Sequence, residues 1–294
     1  MIYDIRLVLT HFYAQSADVG RHRLRVVPID IPECQSVISW SLTGDPTPSE
    51  RRDSLDFFGN KASFIAHDIQ HDAMQIKMKA RVERKPHMPA ADLSPAVRDL
   101  QQDICRVSDL KPASPHHFLG SSPRIQPSAE VTDYARGVTK SAGTTKSAAW
   151  QMCEALHHDL LFDDKATTVD TPLEVAFAQK RGVCQDFAHI MIAGLRGIGI
   201  PARYVSGYLR TQPPEGQARL EGADAMHAWV SVWCGGNLGW VELDPTNGIE
   251  VNTDHIVVGY GRDYTDVSPI KGMLRSTGQA SVSQAVDVKS IETV

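Results

Sequence analysis

The chain has 294 residues, 42% of them hydrophobic and 22% charged, with a formal net charge of −5, a globular composition long enough for two cores. The negative balance argues against a nucleic-acid partner, which needs a basic stripe, and no apolar run approaches the roughly 20 residues that span a bilayer, so no membrane partner is expected either. The five cysteines are odd in number, widely spaced and free of CxxC pairs, which suggests neither a disulfide framework nor a zinc knuckle.

From Met1 to about Val82 the chain reads mostly as strands. Asp4 and Arg6 interrupt the first apolar residues, so the start reads as a strand rather than a secretory leader, and a cytoplasmic protein is expected. In IYDIRLVLTHFY, Tyr3, Ile5, Leu7 and Leu9 alternate with more polar residues. RHRLRVVPIDIP carries Pro28 and Pro32, which suit sheet edges or turns. AMQIKMKARVER puts Met74, Ile76, Met78, Ala80 and Val82 on one face and Gln75, Lys77, Lys79 and Arg81 on the other, an antiparallel strand with one wet side. LTGDPTPSERRD reads as a loop by its Gly, Pro and Ser.

Between Pro86 and about Gln126 the chain is rich in Pro, Ser and His. ADLSPAVRDLQQDICRVSDL predicts a short helix, and KPASPHHFLGSSPRIQPS an extended crossing between domains. AEVTDYARGVTKSAGTTKSAAWQMCEALHHDLLFD predicts two helices, the second carried by Ala149, Met152, Cys153, Leu156 and Leu160. Thr171 is the expected N-cap of the next helix, with Pro172 at its first position and Glu174 in its first turn, and the helix is expected to end near Lys180–Gly182. The expected division is an N-terminal β-domain over 1–90, a connecting segment over 91–130 and a core over 131–294.

The stretch RGVCQDFAHIMIAGLRGIGIP places Cys184 directly after a glycine-containing turn and at the start of a helix whose buried stripe is Phe187, Ile190, Met191, Gly194, Leu195 and Ile198. A helix N-terminus carries unpaired N–H groups and partial positive charge, and a thiol there loses its proton more readily. The alternative is a small buried apolar cysteine. A nucleophilic cysteine needs a base, and the base an orienting group. Strands ARYVSGYL, MHAWVSVW and GWVELD follow, the last two separated by CGGNLG. With a two-residue turn at Gly235–Gly236, His227 pairs with Asp244 across adjacent antiparallel strands, on one face and at roughly 5 Å between Cβ atoms. The alternative is a lone strand histidine and a turn aspartate before Pro245.

GVC, HAW and DPT, in that order, within GVCQDFAHIMIAGLRGIGIPARYVSGYL and MHAWVSVWCGGNLGWVELDPTNG, resemble the transglutaminase-like superfamily core. The early strands, FFGN, AMQIKMKARVER, FLGSSPRI and the tail VGYGRDYTDVSPIKGML resemble bacterial members that carry an N-terminal β-domain. The resemblance implies an α+β protein: an N-terminal antiparallel β-domain followed by a papain-like core, with a nucleophile helix packed on an antiparallel sheet. It implies Cys184 as nucleophile, His227 as base and Asp244 as orienter, acting through a thioester on amide bonds of a peptide or protein. Because bacterial relatives are described as cysteine proteases, hydrolysis is expected ahead of transfer to an amine. A transglutaminase crosslinking Gln to amines, or a non-catalytic binding protein on the same fold, are the competing readings. By analogy with related folds, Trp150 and Gln179 are considered as oxyanion donors, with core and surface roles as the alternative.

No cofactor and no metal are expected. His67 and His71 in HDIQH are spaced four apart but lack the helical HExxH pattern, and no EF-hand loop is present. His116–His117 and His157–His158 read as exposed pairs. Asp186 and His189 read as structural parts of the cysteine helix, and Gly194, Gly197 and Gly199 lie in and after a helix rather than in a dinucleotide loop. Trp229, Trp233 and Trp240 read as groove or packing residues. Homo-oligomerisation is left open.

Overall fold

The computed structural model describes residues 1–86, 91–211, 222, 224–275 and 280–291. The first strands are β1 (Ile2–Ala17), β2 (Val19–Leu24), β3 (Gln35–Asp45), β4 (Glu50–Leu55), β5 (Lys61–His67) and β6 (His71–Arg84). Then come α1 (Val97–Arg106), a short 3-10 helix at Pro115–Phe118, α2 (Ala129–Val138), α3 (Thr145–Asp159), β7 (Leu161–Phe162), α4 (Leu173–Gln179), β8 (Arg181–Gly182) and α5 (Cys184–Gly197). The chain closes with β9 (Ala202–Leu209), β10 (Ala225–Trp233), β11 (Trp240–Asp244), β12 (Ile249–Glu250), β13 (His255–Gly261), α6 (Tyr264–Val267), β14 (Ile270–Arg275) and β15 (Ala280–Ile291).

Alternation along β1 and β6 decides the N-terminal layer. Tyr3, Ile5, Leu7 and Leu9 are buried, as are Met74, Ile76, Met78, Ala80 and Val82, and the two strands pair antiparallel with Leu7 opposite Met78. One four-stranded sheet runs β15-β1-β6-β3 and a second β14-β2-β5-β4. The segment expected to be one loop, LTGDPTPSERRD, is mostly strand: only 46–49 separates β3 from β4, whose Arg51 and Asp53 form an ion pair on the exposed surface.

The expected core, 131–294, differs from the observed one at its C-terminal end. β14 pairs with β2, and β15 pairs with β1 from Tyr13↔Ala280 to Ile2↔Ile291. Val286 and Val288 alternate with polar neighbours and fill the N-terminal core. The chain therefore returns to its own beginning, and the β-domain is completed by its last strands.

The second unit is a five-stranded antiparallel sheet, β12-β11-β10-β9-β13, against which α5 packs with α2, α3 and α4 around it. The expected one-sided stripe understates α5. Every residue from Gln185 to Leu195 is buried, so it is the central helix of the core, each large aliphatic or aromatic side chain contributing about 1.5–3 kcal/mol. α3 starts with a reciprocal cap, Thr144 Oγ1 accepting from Ser147 N–H and Ser147 Oγ from Thr144 N–H. The start of α4 differs from expectation. Pro172 occupies the cap, no side chain caps the helix, and Lys180, at φ 52°, takes the left-handed position that ends it.

The two units share packing. Tyr208, Ile256 and Val258 belong to the N-terminal core, and Tyr208 Oη donates to the Val26 carbonyl at 2.6 Å. Gln35 bridges backbone on both sides, its Nε2 donating to the carbonyls of Ile29 and Val257 and its Oε1 accepting from Val257 N–H. Arg84 Nε donates to the His255 carbonyl at 2.9 Å. The β-domain thus braces β13 from behind.

Candidate active site

Cys184 is the first residue of α5, and the turn before it is built around Asp186. The Asp186 carboxylate accepts from Val183 N–H at 2.8 Å and from Thr167 Oγ1 at 2.6 Å, a cap formed from the third helical position. Burial raises the Asp186 carboxyl, while the two hydrogen bonds oppose that shift. A Cβ at Gly182 would stand 2.5 Å from Asp186 Oδ2. Gly182 is therefore required by close approach of the carboxylate. The structural reading of Asp186 agrees with this, as does that of His189, which is buried beside Tyr204 with Nε2 accepting from Tyr264 N–H.

Cys184 is half-buried, and its thiol lies near enough to the His227 imidazole to raise that ring's affinity for a proton. On its other side His227 donates from Nε2 to Asp244 Oδ2 at 2.8 Å. The three residues anticipated from sequence come together, by a register other than the expected one. Trp233 pairs with Trp240 and Val230 with Leu243. Continuing that ladder sets position 229, not 227, opposite Asp244. CGGNLG forms a longer loop than a two-residue turn: Cys234 N–H donates to the Gly239 carbonyl and Gly239 N–H to the Gly235 carbonyl, with Gly235 and Gly239 both at positive φ. The shift is by two residues, so it preserves the face. His227 and Asp244 are diagonal neighbours, and a long side chain spans that gap.

Asp244 is fully buried and heavily satisfied. Oδ1 accepts from the N–H groups of Thr246 and Asn247, at 3.0 and 3.2 Å. Oδ2 accepts from His227, from Asn247 Nδ2 at 2.6 Å and from His255 Nε2 at 3.1 Å. Burial alone would raise this carboxyl, but the hydrogen bonds and charges of His227 and His255 outweigh it and hold it far below the usual carboxylate range. The same balance acts on His227. Burial disfavours its charged form, yet hydrogen bonds to Asp244 and Cys184 and their charges push it up to about 10.

Sequence reasoning missed His255 and Asn247. His255 is buried at the start of β13 and its side chain reaches Asp244, although β9 and β10 lie between β13 and β11 in the sheet order. No spacing in the sequence announces that neighbour. Trp229 is buried beside the two imidazoles, with ring centroids 6.2 Å from His227 and 5.2 Å from His255, and its Nε1 donates to Glu242 Oε2 at 2.9 Å. It lies over Gly207, where a Cβ would stand 2.3 Å from the indole. Trp233 is core, and Trp240 packs against Phe118 and Arg203 while its Nε1 donates to the Ala113 carbonyl. Trp150 is half-buried against the core and Gln179 is exposed. Neither has a hydrogen bond to Cys184, His227 or Asp244.

The ligating atoms of His227, Asp244 and His255 lie within 4.8 Å of one another. Both imidazoles already direct their Nε2 at one carboxylate oxygen, so the group is a hydrogen-bonded cluster. Its arrangement serves proton handling: a thiol, a base of raised affinity for protons, and a fixed anion behind it.

Residues 132–245 match the family model of the transglutaminase-like superfamily, and residues 3–83 that of the bacterial transglutaminase-like N-terminal region. An uncharacterized protein of Mycobacterium tuberculosis is 34% identical over 295 residues, covering 97% of this chain and 89% of the relative. A protein-glutamine gamma-glutamyltransferase of Pseudomonas aeruginosa is 38% identical over 82 residues, which is 28% of this chain and 12% of that protein. The crystal structure of a "Putative Cysteine Protease" from Cytophaga hutchinsonii superposes with a TM-score of 0.77 at 22% identity, covering 100% of this chain and 92% of that one, and so shares its fold. With a core, an N-terminal region and a full-length relative all in agreement, the chain belongs to the transglutaminase-like superfamily.

Proposed function

We propose that this protein is a cysteine-dependent enzyme of amide bonds in peptides or proteins, and that it favours hydrolysis. The observation that carries the proposal is the His227 imidazole, beside the Cys184 thiol, donating to the buried Asp244 at 2.8 Å. His227 takes the thiol proton, and the thiolate forms a bond to the amide carbonyl carbon. The first N–H groups of α5 have no intrahelical acceptor, which makes them the donors for the resulting oxyanion. The C–N bond breaks as the imidazolium gives its proton to the departing amine, leaving a thioester. Water, deprotonated by His227, then releases the acid and restores the thiol.

Asp244 fixes which imidazole nitrogen carries the permanent proton, with Asn247 and His255 holding the carboxylate in place. The five cysteines are free, which supports a reducing compartment and hence the cytoplasm. Among the described residues no helix is long and apolar enough to cross a membrane.

Product analysis separates hydrolysis from transfer. A Gln-containing peptide library is incubated with the enzyme and excess dansylcadaverine, and products are read by mass spectrometry. Newly cleaved peptides or Gln deamidated to Glu are expected to exceed amine adducts. Adducts alone would make the protein a transamidase, and no turnover with Cys184 still alkylatable would favour the binding-protein reading.

A further inference from the structure

The segment between α3 and α5 wraps the start of the nucleophile helix and turns apolar side chains outward. β7 pairs parallel with β8, setting Phe162 opposite Gly182, two residues before Cys184, and Asp163 N–H donates to the Gly182 carbonyl at 3.0 Å. The chain then loops back to the helix. The Val169 carbonyl accepts from Gln185 Nε2 at 3.2 Å and from Arg124 Nη1. Gln185 is buried, and the Arg124 backbone N–H is itself held by Asp263 Oδ2 at 2.8 Å. The backbone at Phe162 and at Val169 is therefore pinned to residues within two positions of Cys184.

The side chains at these anchored positions are not buried. Phe162 is 55% exposed and Val169 51%, and Leu161 beside them is 62% exposed. A single apolar side chain on a surface is ordinary. Here several lie close along the chain, on backbone held rigid by hydrogen bonds, beside a reactive thiol, which marks a recognition surface. The charges around them are cancelled in pairs. Arg124 Nη2 meets Asp170 Oδ1 at 2.7 Å, and Arg181 Nη1 meets Asp163 Oδ2 at 3.7 Å. The surface therefore favours an apolar group over a charged one.

We propose that Phe162 and Val169 form an apolar subsite beside Cys184, and that the substrate is a peptide carrying a bulky apolar side chain close to the amide that reacts. The inference rests on the reading of Cys184 as nucleophile and adds to it the class of residue the substrate must present. The subsite is continuous with the catalytic centre through Gly182 and Gln185, so whatever covers it lies against the thiol. An apolar side chain packed there loses its contact with water and covers Phe162 and Val169 in turn, a gain that a serine in the same place cannot supply. Because the backbone of both residues is already fixed, little ordering is needed when the peptide binds.

The test compares peptidyl acyloxymethyl ketones that differ only in carrying Phe or Ser, placed in turn at each position before the reactive ketone. Labelling of Cys184 is followed by mass spectrometry on the full chain. At one position the Phe probe is expected to react at least about 10-fold faster than the Ser probe. The ratio is expected to fall below about 3-fold when Phe162→Ser and Val169→Ser are combined, and to persist when Phe162→Leu and Val169→Ile are combined. Each ratio is taken on one protein, so a general change in thiol reactivity cancels. No Phe preference in the wild type, ketones that fail to label, a ratio retained in the serine variant, or one lost equally in the apolar variant would overturn the subsite. Failure of the nucleophile reading shows separately, as iodoacetamide labelling that His227→Ala does not slow.

Discussion

Replacing Cys184 by alanine is expected to remove amide turnover, by about 10⁶-fold in kcat as for other nucleophiles that act within a triad. Stability should change by less than about 1 kcal/mol. The thiol is half-buried, and its ties are to the imidazole and to the surroundings of the helix start, so alanine leaves no large cavity. Steady-state kinetics on any substrate found in the product screen, with thermal unfolding alongside, checks both halves. Turnover retained in a folded variant would remove Cys184 as nucleophile.

Asp244→Asn is expected to lower kcat/KM by about 10⁴-fold, through a different route. The amide cannot satisfy the donors that converge on the carboxylate, and His227 loses the anion that selects its tautomer. This substitution must also lower stability, because it breaks a buried, hydrogen-bonded ion pair. The sign of the pH dependence follows from the shifts. Asp244 is held below its ordinary range, so its contribution is present above the unfolded carboxyl value of about 3.9 and is lost as pH falls through its folded value. His227 is raised to about 10, so its contribution is complete below about 6.5 and fades as pH rises through about 10. Denaturant unfolding of both proteins should show the widest gap between about pH 4 and 6.5 and a narrowing gap toward pH 10. A gap that grows with pH would contradict the ion pair.

What could be read from the sequence, and what could not, divides by range. Local signals carried the strands with alternating faces, the paired helices before the core, and the placement of Cys184 at a helix start. Sequence arithmetic brought His227 and Asp244 to one face even though the loop was misjudged, because an error of two residues conserves side-chain parity. A slip of one would have separated them. What escaped was set by long-range pairing. His255 joins Asp244 across the sheet, and β14 and β15 return to the first strands. The glycine at 182 was anticipated as a turn former, whereas its lack of a Cβ makes room for the Asp186 carboxylate.

The most direct measurement is the rate of iodoacetamide labelling of Cys184, followed by mass spectrometry between pH 5.5 and 9.5, in the wild type and in His227→Ala. If His227 holds the thiol proton, the wild type labels at least about 10²-fold faster at pH 6.5. The ratio then shrinks toward pH 9, where an ordinary thiol, with its pKa of about 8.5, ionises unaided. Equal rates at every pH, with the residue reachable by the reagent, would contradict the thiolate–imidazolium pair on which the proposed chemistry rests.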